Sequence, residues 1–381
     1  MNEDGYDAIV IGGGQAGLSV AYHLAKRKLR FVILDENERV GDSWRRRWDS
    51  LRLFTPARFN GLPGMRFDAA KWSFPTKDEM GDYLEAYAEG FALPVRNGVR
   101  VESVAQEDGR FVVELGDKQL EALNVVVATG AHRVPKLPRF ARELDPTIVQ
   151  LHSSEYRNPS DLQDGDVLVV GVGNSGAEIA YELAETRRCL LAGTSNGEIP
   201  VPHGSRRSRV MFRAIRLFGH RVLRTDTRIG RKLGAKIVAK GPPLIRRKEA
   251  DLKAVGVDRV SRVAGVQEGL PLLEDRRVVD VTNVIWCTGF RTDFSWIDLP
   301  AFDGDGRPVH ERGVVESVPG LYFAGLIFQY SLTSDVLPNG GRDAEYVARQ
   351  IAARLRLGYG ARSRMKNHHV PSARIPSRGA V

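Results

Sequence analysis

The chain has 381 residues with a formal charge of +9, and 42% of its side chains are apolar. That length suits about two domains of ordinary soluble composition. Two cysteines, Cys189 and Cys287, exclude a disulfide framework and a C-x-x-C redox pair, so a reducing cytoplasm is the expected compartment. No charged leader precedes the first apolar run near Tyr6, and no run reaches spanning length, so neither a signal peptide nor a transmembrane helix is expected.

In chain order, the first element is legible in AIVIGGGQAGLSVAYHLA, Ala8–Ala25. The apolar run Ile9–Ile11 suits a strand buried on both faces of a parallel sheet. Gly12, Gly14 and Gly17 follow at G-x-G-x-x-G spacing and open a helix. The first permits a sharp turn, the second lets a pyrophosphate approach bare backbone, and the third lets helix and strand pack closely. Free N–H groups and the dipole at the helix start attract phosphate, so Gln15 and Ala16 join the glycines as cofactor contacts. The next strand, Phe31–Leu34, ends at Asp35, 23 residues after Gly12. An acid there accepts hydrogen bonds from the ribose hydroxyls of an adenosine and repels a 2′-phosphate, so this site is read as one for FAD.

A tightly held FAD needs contacts from many segments. The stretch GDSWRRRWDSLRLFTP, Gly41–Pro56, contributes Trp44, Arg52 and Thr55; Val101 follows, then Ala128, Thr129 and Gly130. Trp44 and Trp48 either stack on flavin or plug the core.

The glycine motif returns in VLVVGVGNSGAEIAYELA, Val167–Ala184. Aligning Asp7 with Asp166 over 19 residues gives nine identities at an offset of 159, and NVVVATG (Asn124–Gly130) matches NVIWCTG (Asn283–Gly289) at the same offset. Two matches at one offset argue for two similar folding units in succession. Strand Val167–Val170 precedes Gly171, Gly173 and Gly176, while Asn174 and Ser175 either face a pyrophosphate or cap the helix. After the strand Cys189–Ala192, the position equivalent to Asp35 is Thr194, which is neutral and admits a 2′-phosphate. Arg206 would supply countercharge, and the second site is read as one for NADPH, with NADH open. Cys287, Thr288 and Gly289 are grouped with the cofactor contacts.

The positive charge is concentrated. Arg206–Lys248 holds 15 Lys/Arg and one acid, Asp226, a local +14 that leaves −5 for the rest of the chain. That argues against a general nucleic-acid binder. Met211, Ile215, Phe218 and Val222 recur at helical spacing within Ser205–Arg224. The segment is read as a surface helix that also attracts an anionic cofactor, in preference to a helix lying on an acidic membrane. PGLYFAGL, Pro319–Leu326, returns the chain to the first sheet and brings Gly325 to the cofactor. A helix follows over about Arg342–Leu355, and the basic tail beyond it, with His368 and His369, is expected to be disordered.

GGGQAG, GDSWRRRWDSLRLFTP, ATGAHRVPKLP, HSSEYRNP, VGVGNSGAEIA, CTGFRTDF and PGLYFAGL, in this order, resemble the flavin-containing monooxygenase family. Bacterial members and the plant indole-3-pyruvate monooxygenases are the nearest in likeness, which spans about Asp7 to Gln350. The resemblance implies an α/β fold of two Rossmann-like dinucleotide-binding domains, like that of glutathione reductase, with the NADPH domain inserted in the FAD domain. It implies reduction of FAD by NADPH, addition of O2 to give a flavin C4a-(hydro)peroxide, and oxygen transfer to a small substrate such as an amine, a sulfide or a carbonyl-bearing acid. The expected boundaries are 1–162 and 283–357 for the FAD domain, 163–282 for the NAD(P)H domain and 358–381 for the tail.

Three positions depart from the family pattern. Its F-x-G-x-x-x-H signature survives only as His152 and Tyr156, with Pro146 and Ile148 at the Phe and Gly positions. Thr55 stands where many members carry an Asn that helps hold the oxygen adduct, and is the one residue considered for a catalytic role. Thr194 stands where relatives place an Arg for the 2′-phosphate. No catalytic triad or metal-ligand spacing occurs, as suits an enzyme whose cofactor carries the chemistry. Phe59–Phe74 and Phe328–Gly341 are the expected substrate-pocket walls. Two rival readings share the plan: an NAD(P)H-dependent flavin reductase or oxidase without oxygen transfer, and a non-catalytic redox-sensing flavoprotein. Disulfide reductases share it too, but need a cysteine pair that is missing here.

Overall fold

The protein is described by a computed structural model covering residues 5–130, 134–335, 337 and 340–366, with backbone alone at 235–240 and 358–366. The first unit begins with β1 (Ala8–Ile11), α1 (Gln15–Lys26) and β2 (Phe31–Leu34). A short helix α2 (Asp42–Arg45), a longer α3 (Lys77–Gly90) and β3 (Val95–Arg96) follow. The antiparallel meander β4 (Ser103–Glu107), β5 (Arg110–Leu115) and β6 (Lys118–Ala122) leads into β7 (Val125–Val127).

After β8 (Val134–Pro135), the second unit comprises β9 (Val149–His152), β10 (Val167–Val170), α4 (Asn174–Leu183) and β11 (Cys189–Ala192). Three helices follow, α5 (Arg206–Arg221), α6 (Arg228–Lys240) and α7 (Glu249–Ala254), then β12 (Asp258–Val260). A hairpin of β13 (Val263–Gln267) and β14 (Leu270–Leu273) precedes β15 (Asn283–Trp286). The chain then returns through β16 (Phe290–Arg291), which pairs with β8, to β17 (Leu321–Phe323) and α8 (Gly340–Lys366).

The two main sheets have one plan. The order is β17-β7-β1-β2-β3 in the first and β9-β15-β10-β11-β12 in the second, and every neighbouring pair is parallel. Four strands correspond one to one; the fifth is supplied from after the inserted unit in one sheet and from before its glycine turn in the other. Burial of β1 on both faces explains its unbroken apolar run. Ala8 and Val10 join one core cluster with Leu18, Ala21, Val347 and Ile351, whereas Ile9 and Ile11 join another with Val104, Phe111 and Phe323. The first of these clusters also contains Tyr156, Val167 and Val169, so the two units share apolar contacts.

Three expectations change. The domain boundaries at 162/163 and 282/283 move, because β9 and β15 hydrogen-bond within the second sheet and residues 149–286 form one unit. The repeat NVVVATG/NVIWCTG had implied this, since β15 stands where β7 does. The last helix is longer than Arg342–Leu355 and continues to Lys366, past the start of the expected tail; the rest of that tail, with His368 and His369, lies outside the described residues. The stripe Met211–Ile215–Phe218–Val222 is not the packed face of α5: Phe218 is 52% exposed, while Ser208 and Gly219 are buried.

Candidate functional site

The two glycine turns are built alike. Gly12 and Gly171 have φ of 106° and 111°, a conformation that L side chains rarely adopt. A Cβ on Gly12 would stand 2.6 Å from the Ala128 carbonyl oxygen, and one on Gly171 would strike that of Cys287. A Cβ on Gly17 or Gly176 would collide with the carbonyl of Gly12 or Gly171, so the third glycine permits the helix to lie on the turn. At Gly14 and Gly173, by contrast, an added Cβ meets nothing within 4 Å. These second glycines face open space, which is what a pyrophosphate needs.

Gly14 and Gly173 are the N-cap residues of α1 and α4, and no side chain caps either helix. Asn174 therefore does not cap: its Oδ1 accepts from Ile245 N at 2.9 Å and its Nδ2 donates to Pro243 O at 3.1 Å. The N–H groups of the first turn, Ser175 included, are left without a side-chain cap. Anions are favoured at such ends by the uncompensated N–H groups and by the helix dipole.

Around the first turn, Asp35 is 6% exposed and accepts from the Gly13 N–H through Oδ2 and from Asn37 N and Nδ2 through Oδ1, at 2.8 and 2.7 Å. Its carboxylate is held at the turn with acceptor capacity remaining. Gln15 donates through Nε2 to Asp335 O at 3.2 Å, and its Oε1 is buried without a partner. Trp48 is buried in the core cluster, as the core-plugging alternative had it. An orphaned acceptor such as Gln15 Oε1 is costly unless a ligand completes it, and with the open second glycine it fits a bound FAD. Gly325 lies against Ala16, 2.7 Å from Ala16 Cβ were a Cβ added, so β17 does bring its end to the α1 N-terminus. Ala128, Thr129 and Gly130 follow β7 on the other side.

The remaining first-site candidates are more peripheral. Trp44 is half-buried against the core cluster, and Val101 is buried in the cluster beneath Ile11 and Leu34. Arg52 is exposed, with Nη1 on Phe74 O at 3.2 Å. Arg45 pins α2 to α3 through Asp82 and Glu85, each at 2.8 Å, and so fixes the Gly41–Pro56 stretch. Thr55 donates through Oγ1 to Asn60 Oδ1 at 2.6 Å, while Asn60 Nδ2 returns to Thr55 O at 3.2 Å. Asn60 is fully buried and was not singled out from sequence.

At the second site, Thr194 Oγ1 accepts from Arg262 Nη2 at 3.0 Å. Both are exposed, and among the described residues no carboxylate pairs with Arg262. Arg259 is already engaged with Glu249 at 2.8 Å, Gly193 O at 2.8 Å and Leu191 O at 3.3 Å. Arg206 stands exposed at the start of α5; the cation actually placed on Thr194 is Arg262, which sequence reasoning missed. A cleft of about 450 Å³ lies beside the loop held by Asn174, lined by Pro202, His203, Arg246, Arg247, Lys248, Ala250 and one acid, Asp251. His203 meets Phe54 O at 2.9 Å and Arg246 donates to Arg52 O at 3.1 Å, so this basic cleft adjoins the first unit. Arg246 also grips Glu178 at 2.6 Å; burial nonetheless pushes the Glu178 carboxyl up to about 7.

His152 is buried between Ser154 Oγ at 2.8 Å and Gly289 O at 3.0 Å, with its pKa lowered mainly by burial. It positions the turn of Cys287, Thr288 and Gly289, where Thr288 Oγ1 donates to Lys136 O. Tyr156 donates to Glu182 of α4 at 2.8 Å. Burial pushes the Cys189 thiol up to about 12 and raises that of the partly buried Cys287 as well, which disfavours the thiolate at both. Among the described residues no cluster of three or more His, Cys, Asp or Glu is placed to hold a metal ion.

The duplicated parallel sheets and their open glycine turns define the class: an oxidoreductase fold with two dinucleotide cradles in one chain. A family profile for pyridine nucleotide-disulphide oxidoreductases matches residues 9–194. An "uncharacterized oxidoreductase CzcO-like" of Geobacillus kaustophilus is 40% identical over 91% of this chain and 98% of its own length. The probable indole-3-pyruvate monooxygenase YUCCA3 of Arabidopsis thaliana is 27% identical over 91% of this chain and 86% of its own. Among solved structures, a flavin-containing monooxygenase from Stenotrophomonas maltophilia superposes with a TM-score of 0.73 at 27% identity, covering 92% of this chain and 99% of that one. The chain belongs to the flavin-containing monooxygenase family and is a flavin-dependent oxidoreductase.

Proposed function

We propose that this enzyme holds FAD in the Gly12–Gly17 cradle, takes reducing equivalents from NADPH at the Gly171–Gly176 cradle, and oxygenates a small organic substrate with O2. The observation that carries the division of labour is the contrast at the ends of β2 and β11. An acid, Asp35, is held beside one glycine turn by three donors, and a neutral Thr194 bearing Arg262 stands beside the other. The acid suits ribose hydroxyls, and the threonine with its arginine suits a 2′-phosphate.

The flavin, when bound, supplies hydride acceptance and oxygen activation. The chain's own contribution is placement. The α1 N-terminus would hold the FAD pyrophosphate, Asp35 would orient its ribose, and Gln15 Oε1 is an acceptor left for the cofactor. The α4 N-terminus and the basic cleft draw in NADPH. Thr55, anchored on buried Asn60, presents a hydroxyl at the end of the Gly41–Pro56 stretch. The substrate pocket is taken to lie between residues 59–74 and 328–341.

The test is a substrate screen by stimulated NADPH consumption, with peroxide counted alongside and isotopically labelled O2 supplied. Label in the product supports the proposal. Stoichiometric peroxide with every amine, sulfide and keto acid offered would favour the oxidase, and negligible NAD(P)H turnover the non-catalytic flavoprotein.

A further inference from the structure

We propose that the outer face of the α5–α6 hairpin docks on an anionic lipid bilayer. The two helices are turned the opposite way from ordinary surface helices. Toward the protein they present small residues, Ser208 and Gly219 on α5 and Gly234 on α6, all buried, while Gly230 packs against the Arg224 backbone of the turn between the helices. A Cβ on Gly219 would stand 3.0 Å from Thr333 Cγ2, and one on Gly234 2.6 Å from the Phe328 ring, so both helices seat closely on one segment. Backbone bonds from Thr225 to Tyr330 and from Leu332 to Leu223, at 2.8 and 3.0 Å, fix the turn between them.

Several arginines also point back. Arg209 and Arg213 lie over the Trp72 ring at 5.1 and 5.4 Å, and Arg216 lies over Phe59 at 5.3 Å. Left facing outward are large apolar side chains. Val210, Leu217 and Phe218 of α5 are 65, 54 and 52% exposed, and Ile229 and Leu233 of α6 are 49 and 39% exposed. Exposed Arg206, Arg207, Arg221, Arg231 and Lys232 are interleaved with them.

Charge decides the occupant. Arg206–Lys240 carries twelve Lys/Arg against Asp226 alone, so a second copy of the chain would meet its own repulsion. A nucleic acid would use the cations but leave the five apolar side chains in water. An anionic bilayer takes both, phosphates against the cations and the acyl boundary around the apolar chains. No described helix is long and apolar enough to cross a membrane.

The full-length purified protein should be spun with vesicles of phosphatidylglycerol and phosphatidylcholine in equal parts, and with phosphatidylcholine alone, at low and high salt. Cosedimentation with the anionic vesicles only, weakened by salt, is expected. Val210→Glu/Leu217→Glu should lower the partition coefficient by about tenfold or more, because two apolar anchors become repelled acids. Ile229→Glu gives the same readout from the other helix should the double variant misfold, with folding judged by melting temperature. The proposal falls if no vesicles retain the protein at low salt or if the folded variants bind as well as the parent. It falls equally if DNA is retained and vesicles are not, or if the variants only abolish a dimer.

Discussion

Removing the guanidinium of Arg262 should separate NADPH from NADH. Its Nη2 donates to Thr194 Oγ1 at 3.0 Å, and among the described residues no carboxylate neutralises it. A hydrogen bond to a charged partner contributes about 1.5–3 kcal/mol when well sheltered. Arg262 is exposed, and screening brings the expected value toward about 1–2 kcal/mol. Arg262→Ala should therefore weaken NADPH binding roughly 5–30-fold and leave NADH nearly unchanged. The assay is anaerobic bleaching of the bound flavin at varied concentrations of each coenzyme, which gives an apparent Kd for both. The NADPH deficit should shrink at high salt, where surface charge contributes less. Arg259→Ala is the control: that guanidinium is already spent on Glu249 and the Gly193 carbonyl, so its loss should loosen the β12 edge without changing the coenzyme ratio. Unchanged NADPH affinity in Arg262→Ala, or equal weakening of both coenzymes, would refute the reasoning.

Three other outcomes are expected. Gly173→Asp, placed where an added Cβ meets nothing within 4 Å, should fold, keep FAD and lose reduction by NADPH; loss of both cofactors from a folded protein would contradict separate sites. Burial raises the Asp335 carboxyl to about 6, so its contribution to stability is complete below the unfolded value and is lost as pH rises through about 6. Asp335→Asn should consequently gain stability relative to the parent above pH 6, by up to about 3 kcal/mol, and show no such gain at pH 4, as melting temperature against pH would reveal. Thr55→Val removes the hydroxyl that Asn60 anchors and should raise the share of NADPH consumption ending as peroxide; an unchanged ratio of peroxide to product would remove Thr55 from the chemistry.

The parts of this enzyme that were legible in its sequence are those encoded over short distances. A four-residue apolar strand, three spaced glycines and a following helix read out directly, twice, because close packing and open approach at the turn restrict the residue types that fit. The strands Phe31–Leu34 and Cys189–Ala192 coincide with β2 and β11 to the residue. What was not legible depends on distant partners. Arg262 lies 68 residues from Thr194, and Asp335 lies 320 from Gln15. β9 is a half-polar VQLH with no strong periodicity, and only its pairing with β15 assigns it to the second sheet. For α5, helical spacing named an apolar stripe, but the seating of Gly219 and the stacking of arginines on Trp72 and Phe59 rotated it outward.

The most direct measurement is the flavin content of the purified, folded chain, read from its visible spectrum and from the nucleotide released on denaturation. About one FAD per chain, retained through gel filtration, is predicted from the open turn at Gly14, which has Asp35 and the unpartnered Gln15 Oε1 beside it while the Gly173 turn ends at a neutral Thr194. A folded protein that is colourless, and stays so when offered FAD, would contradict the account.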